Sequence, residues 1–111
     1  MKLEYTKEEL SLQAAALEQL FDAVHIVDPY RGVRLDPATL EPQEESAPVP
    51  PMDEAGRGLQ LVRHGGQETM QISQGIRVDG RPCVLVLYRA MPKDSRATVG
   101  AKNSYDRALA Q

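Results

Sequence analysis

The chain has 111 residues, room for one domain around one hydrophobic core. Hydrophobic residues make up 41%, and thirteen Lys and Arg against sixteen Asp and Glu leave a formal charge of −3, without the basic footprint that a nucleic-acid binder needs to neutralise phosphates. A single cysteine excludes an internal disulfide, and no apolar run reaches the roughly 18–20 residues of a membrane span.

The start, Met1-Lys2-Leu3-Glu4, turns acidic at once and has no signal-peptide core, so the expected compartment is the cytoplasm. Thr6 followed three residues later by Glu9 reads as a capping box opening a helix. Behind it Leu10, Ala14, Leu17, Phe21 and Val24 recur at helical spacing, with Leu12, Ala16 and Leu20 as a flanking stripe. An apolar arc this wide needs cover beyond one seam, either a sheet of the same domain or the same helix of a second copy, and a homodimer through the helix around Leu10–Val24 is the expected partner.

His25-Ile26-Val27 then changes to strand composition. Asp28-Pro29-Tyr30-Arg31-Gly32 is a turn: Pro29 pre-sets φ, the Asp28 carboxylate accepts backbone N–H groups, and Gly32 takes a left-handed conformation. Val33-Arg34-Leu35 is the return strand. Five of the eight prolines follow between Asp36 and Glu54 among clustered acids, so residues 36–58 are expected as an irregular acidic loop with at most one helical turn at Pro37–Leu40.

Beyond Gly56-Arg57-Gly58 the pattern becomes β throughout. Leu59–His64 is a strand, and Gly65-Gly66 a two-residue turn with positive φ at both positions. Met70, Ile72, Ile76 and Val78 then share one parity, the dry face of a strand, interrupted at Gln74 and with a bulge expected at Gly75. Asp79-Gly80 signals another hairpin. Cys83–Tyr88 has no alternation, which marks a strand covered on both sides and central in its sheet. Lys93–Gly100 reads as a linker, and Ala101–Gln111 as the start of a helix that cannot stand alone.

Leu20–Asp28 resembles the first helix and strand of PAS domains, the sensor modules of signalling proteins. Ile76-Arg77-Val78-Asp79-Gly80-Arg81-Pro82-Cys83-Val84-Leu85-Val86-Leu87 is similar to their last two strands and turn. Ser104–Leu109 looks like the connector that precedes a GGDEF diguanylate cyclase domain. The resemblance implies an α+β fold: a PAS-like five-stranded antiparallel sheet with an N-terminal amphipathic helix and a degenerate, Pro-rich crossover. It implies a domain over 1–92 and a linker over 93–111 toward a missing output domain. It further implies a bacterial homodimeric sensor that relays a signal, without catalytic activity of its own. The flavin-adduct Asn-Cys-Arg motif is missing, and no histidine occurs between Val33 and Arg63 to hold haem, so no cofactor is expected.

Chemistry-bearing residues are few. His25, His64 and Cys83 show no metal-site spacing, and Cys83 reads as a buried core residue. Tyr88 is expected to pack its ring and leave its hydroxyl at the rim. No catalytic, cofactor or metal residue is assigned. If a ligand binds, Met70, Ile72, Ile76 and Val78 are the residues expected to face it. Two alternatives stand beside the sensor: a small cone-shaped α+β enzyme using His25 and Asp28 as an acid–base pair, and a purely structural interaction domain.

Overall fold

The computed structural model describes residues 3–91. The linker and helix expected over 93–111 lie outside the described residues.

Strand β1 (Glu4–Tyr5) leads directly into helix α1 (Lys7–Leu17). The capping box forms as expected: Thr6 Oγ1 accepts from the Glu9 amide at 3.2 Å, and the Glu9 carboxylate accepts from the Thr6 amide at 2.9 Å. Glu8 and Glu9 complement the positive end of the helix dipole, but the last turn has no basic residue and Glu18 stands at the C-cap. The helix stops at Leu17 instead of running to Val24. Leu20 and Phe21 both donate their amides to the Leu17 carbonyl at 2.9 Å, which tightens the exit. Val24 belongs to the next strand, because Ala23–Val27 gains a full ladder against the central strand that an extended helix would forfeit.

The remaining strands are β2 (Ala23–Asp28), β3 (Val33–Leu35), β4 (Pro42–Ser46), β5 (Arg57–His64), β6 (Gln67–Val78) and β7 (Arg81–Ala90). Their order is β1-β6-β7-β2-β3-β4, with β5 also on β6. The α+β, PAS-like five-stranded antiparallel sheet is therefore corrected: seven strands form one mixed sheet that dominates the molecule, with a single helix among the described residues. Two elements make the difference. β1 pairs in parallel with the end of β6, Glu4 opposite Arg77 and Tyr5 opposite Val78. β4 rises out of the segment expected to be irregular and pairs with β3 through a shifted register. Pro42 is its first residue, where a missing N–H costs no ladder bond, and its exposed glutamates suit a border strand.

Local geometry elsewhere follows the sequence closely. Gly65 and Gly66 have φ of 61° and 78°, and Asp79 and Gly80 of 50° and 80°, the paired positive values of tight hairpin turns. No bulge forms at Gly75; β6 pairs with β7 without interruption from Thr69–Ala90 to Val78–Arg81. The Gln74 amide instead settles on the carbonyls of Gly56 at 3.2 Å and Gly75 at 2.9 Å. A side chain at Gly58 has no room: its Cβ would stand 2.2 Å from the Pro51 carbonyl oxygen, so this glycine lets the Pro-rich strap lie flat on β5.

β7 lies in the middle, between β6 and β2. Its two faces build two cores. Cys83 and Leu85 join Leu10, Ala14, Val24, Ile26, Leu35, Ile76 and Val78 beneath α1. Val84 and Val86 join Val27 on the opposite face, with Ala47, Met52 and Tyr88 packed against them. Cys83 is thus the core residue expected, and burial pushes its thiol pKa up.

Candidate functional site

The early end of α1 has a consequence for the helix-bearing face. Leu10 and Ala14 join the core with Val24, Ile26, Val78 and Cys83, but among the described residues no second helix covers the rest of this face. A largely apolar cavity of about 430 Å³ remains there, with Leu17 of α1 above and Ile72, Ile76, Leu85 and Leu87 of β6 and β7 below. Tyr5 closes one end; Gln13, Arg57 and Gln74 supply its polar rim. That volume falls within the roughly 300–1,000 Å³ of ordinary small-ligand sites.

Register decides which of the expected ligand-facing residues reach it. Ile72 stands opposite Leu87 and Ile76 opposite Cys83, and because strand side chains alternate, Met70, Ile72, Ile76 and Val78 share the helix-bearing face. Ile72 and Ile76 line the cavity. Val78 is sealed in the core, while Met70 lies further along β6 beside the exposed Leu61. Sequence parity alone missed Leu17, Leu85 and Leu87, which enter from other elements.

His25 and Asp28 are not brought together. They are three residues apart on β2, so they project from opposite faces of the sheet. Asp28 is a structural hub instead. Its Oδ1 accepts the Tyr30 and Arg31 amides at 2.9 and 3.3 Å, and its Oδ2 accepts from Arg81 at 2.8 Å. Burial alone would raise its pKa; these donors outweigh it and hold the carboxyl below the usual range. His25 is pushed down to about 4, first by burial and then by the positive charge of Arg34 and by His64, so it is neutral at physiological pH. It packs against Tyr88 with ring centres 4.9 Å apart. The hydroxyl of Tyr88 accepts a hydrogen bond from Gln71 Nε2 at 3.1 Å.

The exit of the central strand is also tied to its neighbours. The Asp22 amide donates to the Tyr88 carbonyl at 2.9 Å, and the Asp22 carboxylate accepts the Ala90 amide at 2.6 Å. From the hairpin side, Gln67 Nε2 donates to the Met91 carbonyl at 2.6 Å. The segment that lines the cavity therefore continues into a clamped end, fixed to both the α1–β2 turn and the β5–β6 hairpin.

Among the described residues, no cluster of three or more His, Cys, Asp or Glu is placed to hold a metal ion, and no helix is long and apolar enough to cross a membrane. Comparison with protein-family models, with curated proteins and with solved structures finds no match to this chain, and the functional reading rests on its own residues.

Proposed function

We propose that this chain is the sensory and dimer-forming input module of a cytoplasmic signalling protein, with no catalysis of its own. The local likeness of Leu20–Asp28 and Ile76–Leu87 to PAS segments motivates the class, while the sheet as a whole departs from that arrangement. The observation that carries the proposal is the apolar cavity between α1 and the central strand. A small apolar molecule seated on Leu85 and Leu87 bears on β7, whose far end is clamped by Asp22 and Gln67. Occupancy then biases the geometry passed from the end of β7 to an output domain of the diguanylate cyclase class.

The dimer half of the proposal uses the outer surface of α1 and its exit. Leu12 is 74% and Leu20 68% exposed, large apolar side chains that a second copy would cover. Sedimentation velocity is expected to show a concentration-dependent dimer. The double substitution Leu12→Glu and Leu20→Glu should yield a monomer while changing monomer stability by about 0.5 kcal/mol or less, as exposed positions do. A parent chain that stays monomeric at every concentration refutes this half.

A further inference from the structure

The face of the sheet opposite α1 holds a second, chemically different cavity of about 240 Å³. Its floor is Val27 and Val86, and its roof is the Pro48–Pro50 strap. Three rings form one wall: His64 stacks on Tyr88 with centres 4.3 Å apart and planes 23° apart, and His25 lies 4.9 Å from Tyr88 and 5.8 Å from His64. These residues are far apart in sequence but belong to one sheet face, since His25 stands opposite Val86 and Gln71 opposite Tyr88.

Polar groups converge on the same space with unused capacity. Arg34 Nη1 reaches Glu45 at 3.2 Å, but its Nε–H is buried with no hydrogen-bond partner. Leaving such a donor unmet costs about 1–3 kcal/mol, which an incoming acceptor would recover. Gln60 Nε2 donates to Gln71 Oε1 at 2.7 Å, and Gln71 Nε2 donates to the Tyr88 hydroxyl, so that hydroxyl keeps its own proton to give. The strap contributes no competing donors at its prolines.

We propose that this face is a binding site for a small planar aromatic carboxylate. The ring lies against the His64–Tyr88 stack, the carboxylate takes the open edge of the Arg34 guanidinium, and the Tyr88 hydroxyl donates to it. Glu45, whose side chain is 70% exposed, keeps its place on Nη1, apart from the Nε–H that the ligand's carboxylate takes. The cavity is below the roughly 300–1,000 Å³ typical of drug-sized ligands, which restricts the occupant to one or two rings. Neutral His25 at the wall adds surface for the ring without a charge to solvate.

The chain contains no Trp, so indole-3-carboxylate can be titrated and followed by its own fluorescence anisotropy. Saturable binding is expected, weakened about tenfold by Arg34→Met and similarly by His64→Ala, a position exposed at the hairpin end. Glu45→Gln should tighten binding, because it removes a negative charge beside the ligand's carboxylate. Neutral indole should bind about tenfold more weakly than the acid. Circular dichroism matching the parent establishes that each variant is folded. Absence of saturable binding to the parent, equal affinity in folded Arg34→Met, or equal affinity for indole would each overturn the proposal.

Discussion

Asp28→Ala should cost about 3 kcal/mol of folding stability, a large share of what a domain of this size possesses. The carboxylate is 2% exposed and accepts three hydrogen bonds from one position. It organises the β2–β3 turn by accepting two backbone amides, and it ties that turn to the β6–β7 hairpin through Arg81. Arg81 is half-exposed and can be rehydrated after the substitution, which keeps the loss below that of a fully buried pair. The two turn amides belong to the exposed Tyr30 and Arg31, so most of the loss is the ordering of the turn and its tie to Arg81. Asp28→Asn should recover part of the loss, since its side-chain oxygen still accepts at the turn.

The pH dependence has a definite sign. A carboxyl whose folded pKa is depressed contributes stability that is complete above its unfolded pKa of about 4 and is lost as pH falls through the folded value. Urea denaturation should therefore show parent and Asp28→Asn furthest apart at neutral pH. The gap should close progressively below about pH 4. A gap that is constant from neutral to acidic pH contradicts the assigned role of the charge.

Leu10→Ala should destabilise by about 3 kcal/mol, within the range of fully buried leucines. Leu10 is wholly inaccessible and is the largest buried side chain that α1 places in the core with Val24, Ile26 and Val78. An eleven-residue helix is not stable alone in water, so α1 depends on this docking. Leu12→Ala, two residues along and 74% exposed, should cost about 0.5 kcal/mol or less. Chemical denaturation of the two variants separates docking from helix propensity, because the substitution is the same and both sites lie in α1. Equal losses contradict the packing described.

The elements legible in the sequence are those specified by local or two-sided chemistry. The Asp28–Gly32 turn is written in its side chains, and Gly32 has φ of 63° as the turn requires. The central place of Cys83–Tyr88 follows from its apolarity on both faces, which only a strand covered above and below can satisfy. β1 is not legible, because two residues carry no period; it is held where the Arg77 amide donates to the Leu3 carbonyl and the Asp79 amide to the Tyr5 carbonyl, with Tyr5 packed on the core. β4 was masked by prolines and acids that disfavour interior strands but suit a border. Phe21 and Val24 fit helical spacing and so predict a longer helix than forms, while the competing ladder of β2 on β7 is a long-range gain that spacing does not register.

The sites divide the same way. Ile72 and Ile76 were visible through strand parity, and Leu17, Leu85 and Leu87 only once α1 stopped short over β7. Pairing His25 with Asp28 treated nearness in sequence as nearness in space, which strand alternation forbids at a separation of three. The His25–His64–Tyr88 cluster joins three different strands, and only the full register reveals it.

The helix-facing cavity is tested most directly by titrating methyl-labelled chain with benzene and following the side-chain NMR resonances. Apolar cavities take up such molecules, and saturable shifts are expected at Leu17, Ile72, Ile76, Leu85 and Leu87. Val84, in the core of the other face and in the lining of neither proposed site, should stay in place. Benzene that leaves the five lining residues unmoved, or shifts Val84 as much as it shifts them, contradicts a ligand space between α1 and the central strand.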